Sequence, residues 1–440
     1  MSLPAISEGA KRGRFEGKRL LVLGSNVGSC EIVRYARDGG AYVAVADWLP
    51  VEKSPAKGLA DEALLISTGN VDELCDYVRG SGVDAVLAGV SEFNLLRAME
   101  VSELCGLPFY CTRAQWDEVE RKDRFRALCH RHGVPAPETY FSGAEDDLHS
   151  ALGSIQYPAV LKPVDGSSSE GVFICCSEKK LVSNAPASAS ISSTGSVIVE
   201  QFVEGTEFTA HYTIRRGGAT LSCVDNRYPV ELHEGATSIP IARVYPSLFL
   251  EEYRSQVDRS MIALCESLGV ENGVLFAQGI YDPSSKRFAM FEAGLRSAGE
   301  SPSRFLEKVV GVNYFKEMVN AALTGDPDPQ GSDDPLLAGK HCAVVSMAGK
   351  GGVIKSIEGV DEVLSECGDI VDWECRYPAG CEIPCGDTLR QIILRFIVVC
   401  DSRSRLAEDV SLINSRVRVI GDSGDDMAVG FDPRRLSGLN

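Results

Sequence analysis

With 440 residues, 44% of them hydrophobic and 24% charged, the chain is too long for one ordinary core and is expected to form about three domains. Its formal net charge of -18 excludes a nucleic-acid partner, which needs a basic footprint, and no apolar run reaches the roughly eighteen residues of a membrane-spanning helix. The fifteen cysteines lack paired CxxC spacing, even where Cys367, Cys375, Cys381 and Cys385 come closest to a cluster, so reduced thiols in a cytoplasmic protein are expected.

Residues 1–17 are basic with no apolar segment behind them, and read as a mobile leader rather than a signal peptide. RLLVLGS, the helix that follows Asn26-Val27-Gly28-Ser29, and AYVAVAD make a βαβ start with a parallel sheet. The pattern repeats through a helix at 71–80, the strand DAVLAGV and a helix from Ser91 to Cys105, whose start Glu92 is expected to cap; this domain spans 18–112. The periodicity then predicts one long helix over 113–133, with Lys122 on a charged, solvated face.

YPAVLKPV is a strand carrying a single cation, Lys162, and the loop DGSSSEG follows before the strand VFICC. Backbone N–H groups and serine hydroxyls in such a loop can close over phosphates, with the lysine as a point charge. Residues 183–196 are Ser/Ala-rich and read as a loose connection or an eroded helix, closing a unit at 113–195. VIVEQFVEGTEFTAHYTI is strand–turn–strand, with Glu200, Gln201 and Glu207 around Gly205. These groups suit an adenine edge and ribose hydroxyls, or are ordinary edge-strand charges. Residues 225–246 lack periodicity and read as a mobile loop over a site, with His233 and Arg243 as substrate candidates.

GVLFAQGIYD and RFAMFEA read as two strands joined by an Asp-Pro-Ser-Ser-Lys turn. Alternation lets Gln278 and Glu292 share one face, as oxygen ligands suited to magnesium or as solvated side chains of a surface hairpin, with Arg296 just beyond. This second unit spans 196–325. An acidic Pro/Gly linker at 326–339 leads to a small β-rich domain at 340–440, expected to serve packing or homodimerisation.

Taken in order, these motifs resemble the ATP-grasp superfamily over roughly residues 18–325. The Gln-to-Glu spacing is similar to that of carbamoyl phosphate synthetases, and the C-terminal sheet to that of L-amino acid ligases. The resemblance implies an α/β and α+β architecture: a parallel βαβ domain, two α+β subdomains sandwiching ATP, and a small mixed C-terminal sheet. It further implies that Lys122 and Lys162 hold ATP phosphates under the loop at 166–171, with Ser167, Ser168, Ser169 and Gly171 as contacts. Glu200, Gln201 and Val203 would lie near adenine and Glu207 at the ribose. Gln278 and Glu292 would hold one or two magnesium ions, for which manganese could substitute, and Arg296 would steady an acyl phosphate, making Lys162 and Arg296 catalytic.

The activity so implied joins a carboxylate to an amine with ADP release, on amino-acid or dipeptide-type substrates. A noncatalytic or regulatory ATP-binding relative and a bicarbonate-using carboxylase or synthetase are the alternatives. One departure stands out: where the family carries ExNxR, this chain has Glu292-Ala293-Gly294-Leu295-Arg296, so the side chain expected to complete a second metal site is absent.

Overall fold

Consecutive apolar strands bury both of their faces only when helices cover each side, and this is how the chain begins. The computed structural model describes residues 13–166, 170–230, 232, 239–385 and 389–437. Strand Arg19–Leu23 lies between Tyr42–Ala46 and Ala85–Ala88, with Glu62–Leu64 at the edge, and every pairing is parallel. Leu21 and Leu23 enter one core while Leu20 and Val22 enter another, as period-two alternation requires. Phe15 is buried against this second core, so the expected free leader is anchored at least from residue 13.

Two antiparallel sheets follow. The first orders Thr139–Ala144, Ser196–Gln201, Ala159–Pro163 and Phe173–Cys175. Helix Glu178–Ile191 covers it with Leu181, Ala185 and Ser188, an i, i+4, i+7 stripe, so the Ser/Ala-rich segment is a helix rather than a loose connection. The second orders Gly218–Val224, Thr206–Arg215, Asn272–Asp282 and Arg287–Gly294. Phe208, Phe249, Tyr253 and Phe288 pack edge-to-face beneath it.

Three expectations are corrected. The helix expected over 113–133 breaks at Arg121 (φ -74°, ψ 120°) into Arg113–Glu120 and Lys122–His132. The break lets the Lys122 amide donate to the Val164 carbonyl at 2.8 Å, tying the second helix to the end of the Lys162 strand. Glu92 does not cap its helix; the Ser91 hydroxyl accepts from the Asn94 amide instead.

The largest correction concerns 225–246. Asn226–Val230 and Ile239–Tyr245 are strands, and the second pairs with His341–Gly349, so both join the C-terminal sheet with Ile392–Cys400 and Ile370–Cys375. Buried polar residues hid the alternation: Asp225 and Arg243 are inside, paired at 2.8 Å, while Tyr228, Ile241 and Val244 fill the core. Strands Gly352–Glu358, Glu382–Ile383 and Arg418–Gly421 form a smaller sheet beside it, and helix Arg403–Arg416 packs against the large one. Among the described residues no helix is long and apolar enough to cross a membrane.

The linker is held in place rather than loose. Buried Asp333 accepts from the hydroxyls of Thr213 and Ser222, each at 2.6 Å, and pairs with Arg215, which also grips Glu317. Removing one member of a buried charge network strands the others. Asp333→Ala is therefore expected to lower unfolding free energy by about 3 kcal/mol in urea titration. A loss below about 1 kcal/mol would show that the linker is not fixed through this carboxylate.

Candidate functional site

A single cleft of about 1840 Å³ is lined by Lys122, Lys162, Gly166, Glu200, Gln201, Val203, Glu207, Gln278, Glu292 and Arg296. Arg243 lines it as well, whereas Gly171 does not, and Ser167, Ser168, Ser169 and His233 lie outside the described residues.

Lys162 is buried in strand Ala159–Pro163, its Nζ 2.5 Å from Glu200, which lies diagonal to it on the neighbouring strand, opposite Val160. Arg126, one turn into helix Lys122–His132, closes on the same carboxylate through Nε and, at 3.0 Å, Nη2; Nη2 also donates to the Phe291 carbonyl at 2.7 Å. Burial alone would raise the Glu200 carboxyl, but the two cations hold it below its usual range. Burial pulls the Lys162 ammonium down to about 8 despite Glu200, with Arg126 pushing the same way. Sequence reasoning missed Arg126, because one arginine in KDRFRALCHRH looks like part of a solvated helix face. Lys122 Nζ donates to the Gly166 carbonyl at 2.6 Å, fastening the start of the glycine loop.

Glu200, expected near adenine, spends its carboxylate on this triad, and Glu207 pairs with Arg227 at 2.7 Å. Apolar lining comes from Val160, Phe202, Ile280 and Phe291. Val160 shares a strand face with Lys162, and Ile280 shares one with Gln278, a pattern readable from alternation.

Gln278 and Glu292 are directly opposite in the hairpin register. Cross-strand neighbours hold their Cβ atoms about 4.5–5.5 Å apart, close enough for both oxygens to reach one hard cation. Both line the cleft, and neither side chain makes a hydrogen bond or ion pair with another described residue, so the donor set fits a magnesium ion completed by phosphate and water oxygens. The neighbouring strand position does not extend the set. A Cβ on Gly294 would lie 2.6 Å from Cε1 of Phe276 and 3.3 Å from a Glu120 carboxylate oxygen, so this glycine is a packing requirement.

Arg296 stacks over the Phe276 ring at 4.8 Å and reaches Glu92 at 3.7 Å. Tyr110 donates to the Leu295 carbonyl at 2.7 Å and fixes the backbone just before it. Glu120 is raised well above the carboxylate range by burial and by nearby Glu92, with Arg296 opposing. Glu92 thus belongs to the site rather than to a helix cap.

His211, Asp225 and Glu300 also converge, with ligand atoms within 4.8 Å of one another. Arg243 already occupies that junction, 2.8 Å from Asp225 and 3.1 Å from Glu300, so both carboxylates are already engaged by a buried cation. Its guanidinium serves this internal network although Arg243 borders the cleft.

Residues 120–215 match the RimK-like ATP-grasp domain family. The fold aligns with the L-amino acid ligase of Bacillus licheniformis at TM-score 0.75 and 15% identity, covering 92% of this chain and 99% of that one. The family match thus lies within residues 120–215, and the likeness over the rest of the chain is one of fold. The chain also aligns with the biotin carboxylase domain of the 2-oxoglutarate carboxylase of Hydrogenobacter thermophilus, solved with MgADP and bicarbonate. The TM-score there is 0.74 and the identity 16%, over 96% and 94% of the two chains. In sequence it is 24% identical over 270 residues to the arginine-specific large chain of carbamoyl phosphate synthase of Halalkalibacterium halodurans. That match takes in 57% of this chain and only 25% of the relative. The architecture expected from sequence, an N-terminal parallel sheet followed by α+β layers and a C-terminal sheet, is the one observed, except that the C-terminal strands all pair antiparallel rather than as a mixed sheet.

Because Phe276 occupies the space beside Gly294, Gly294→Asn is expected to overpack the hairpin and lower stability by about 1–3 kcal/mol. Thermal denaturation checks this; an unchanged Tm would mean that the ring yields without cost.

Proposed function

We propose that this protein is an ATP-dependent ligase that phosphorylates a carboxylate and passes the acyl group to an amine, with ADP and phosphate released. The observation that carries this reading is the convergence of Lys122, Lys162, Gln278, Glu292 and Arg296 on one cleft. Amino-acid or dipeptide-type substrates are the leading class, supported by the fold-level likeness to an L-amino acid ligase. The protein acts on small molecules, in the cytoplasm, with the C-terminal sheet available for pairing two copies.

A carboxylate resists attack by an amine because its leaving group would be oxide. Transfer of the γ-phosphoryl group to a carboxylate oxygen gives an acyl phosphate; the amine nitrogen then forms the C–N bond, the C–O bond to phosphate breaks, and the nitrogen loses a proton. Phosphoryl transfer depends chiefly on positioning and charge neutralisation. Lys122 and Lys162 supply fixed cations for the phosphates, with Lys122 held to the Gly166 carbonyl beside them. Val160, Phe202, Ile280 and Phe291 make an apolar slot for the base, with Gln201 and Val203 at its edge and Glu207 toward the ribose. Gln278 and Glu292 would hold magnesium, which neutralises phosphate charge when bound. Arg296, backed by Glu92 and propped on Phe276, faces the tetrahedral oxyanion.

Arg296→Ala is expected to lower kcat by about 10²–10³-fold, the range for losing one oxyanion donor, with ATP affinity within about twofold of wild type. Phosphate release from ATP across an amino-acid panel, with and without bicarbonate, tests the reaction itself. Release stimulated by amino acids alone supports the ligase; strict bicarbonate dependence, or tight ATP binding with no release, overturns it.

Lys162 gives a pH signature. Protonated Lys162 attracts phosphate, so ATP affinity is fully present below its pKa of about 8 and falls as the pH rises through that value. Lys162→Arg, which stays charged, should flatten the profile between pH 7 and about 9.5 in nucleotide titrations. An unchanged inflection in that variant would remove Lys162 from the phosphate site.

A further inference from the structure

The cleft continues past the hairpin to a wall formed by the C-terminal sheet, where Trp373, Glu374, Arg376 and Arg395 line it. Glu374 lies opposite Arg395 in the strand register, and Trp373 opposite Phe396, its ring stacked on that phenylalanine at 6.5 Å. Arg395 stands alone as a cation in the apolar strand Ile392–Cys400. Arg304 reaches in from helix Ser303–Val310 to Asp372 at 2.6 Å and Glu374 at 3.1 Å. Glu374 also accepts Arg376 and Arg395, each at 3.2 Å.

Three guanidiniums therefore share the carboxylates of Asp372 and Glu374 at this wall of the cleft, with Glu300 also acting on Arg395. Arg395 is the least satisfied of the three. It is only 5% exposed, its Nη1 donates to the Gly299 carbonyl at 3.1 Å, and its Nε is buried with no hydrogen-bond partner. Burial, reinforced by Arg376 and Arg304 and opposed by Glu374 and Glu300, holds its guanidinium down to about 10. A planar fork with an unused edge beside a second arginine is shaped for a carboxylate. None of its partners is shared with Arg296, which leans on Glu92 and Phe276.

We infer that Arg395, with Arg376 at the rim and Trp373 beside it, forms a subsite for a carboxylate that does not react: the free carboxylate of an amino acid serving as the amine substrate. This rests on the ligase reading of the cleft and deepens it. The carboxylate that is phosphorylated belongs beside the lysines and the hairpin, whereas the Arg395 subsite reads a second carboxylate on the incoming amine. It selects amino acids over simple amines.

The test uses the full chain and tryptophan fluorescence without nucleotide, titrating the standard amino acids and their carboxamides, with Trp373→Phe to assign the signal. At least one amino acid is expected to bind, its carboxamide at least tenfold more weakly. Arg395→Gln should weaken that amino acid at least tenfold, and Arg395→Lys by less, while the Kd for a nonhydrolysable ATP analogue stays within twofold. Equal binding of acid and carboxamide, wild-type affinity in Arg395→Gln, or no binding by any amino acid overturns the subsite. Should Arg395→Gln lose its cooperative melting transition, Arg376→Gln and Arg395→Lys carry the test; wild-type amino-acid affinity in both would overturn it. Arg395-dependent amino-acid binding in a chain that binds no ATP would sink the ligase proposal and leave the subsite standing.

Discussion

Glu200 is the residue on which the cleft depends. A carboxylate buried this completely is tolerable only if its charge is compensated, and Lys162 and Arg126 do so from different elements. The contact ties the Lys122–His132 helix, two strands of the first antiparallel sheet and, through the Phe291 carbonyl, the strand that carries Glu292. One anion thus sets the relative position of a lysine on one lobe and a metal-ligand candidate on the other. The coupling has a chemical side. A lysine whose pKa burial lowers to about 8 is a cation whose charge responds to what binds beside it.

The hairpin and the arm after it follow a different logic, in which shape rather than charge is decisive. Phe276 serves both: its edge fills the volume over Gly294, and its face supports the Arg296 guanidinium. A larger residue at 294 would displace the ring and with it the arginine's platform. The missing asparagine and the placement of Arg296 are therefore one feature, since the ring that fills the space at Gly294 also supports the guanidinium.

Much of this was legible in the chain itself. Alternation put Gln278 and Glu292 on one face, and a lone lysine in an apolar strand flagged Lys162. The failures share a cause: polar residues whose partners are distant in sequence mimic loops and solvated faces. Asp225, Arg227 and Arg243 made two buried strands look like a mobile loop, because their partners Glu207, Thr209 and Glu300 come from elsewhere. Arg126 hid among other charges on its helix for the same reason. Arg395 carried the signal that marked Lys162, a single cation within IILRFIVVC, and went unremarked because no glycine loop follows it. Helix 113–133 was misjudged because periodicity does not register a break made by one long-range amide bond at Lys122.

The pairing of Ile239–Tyr245 with His341–Gly349 bears on how the molecule can be divided. A ribbon from the middle of the sequence completes a sheet otherwise built from its last hundred residues, so the chain is woven rather than beaded. Severing it at the acidic connection would strip that sheet of the two strands on one side and leave His341–Gly349 without its Ile239–Tyr245 neighbour. Recombination between relatives, natural or engineered, would have to exchange the ribbon together with the tail.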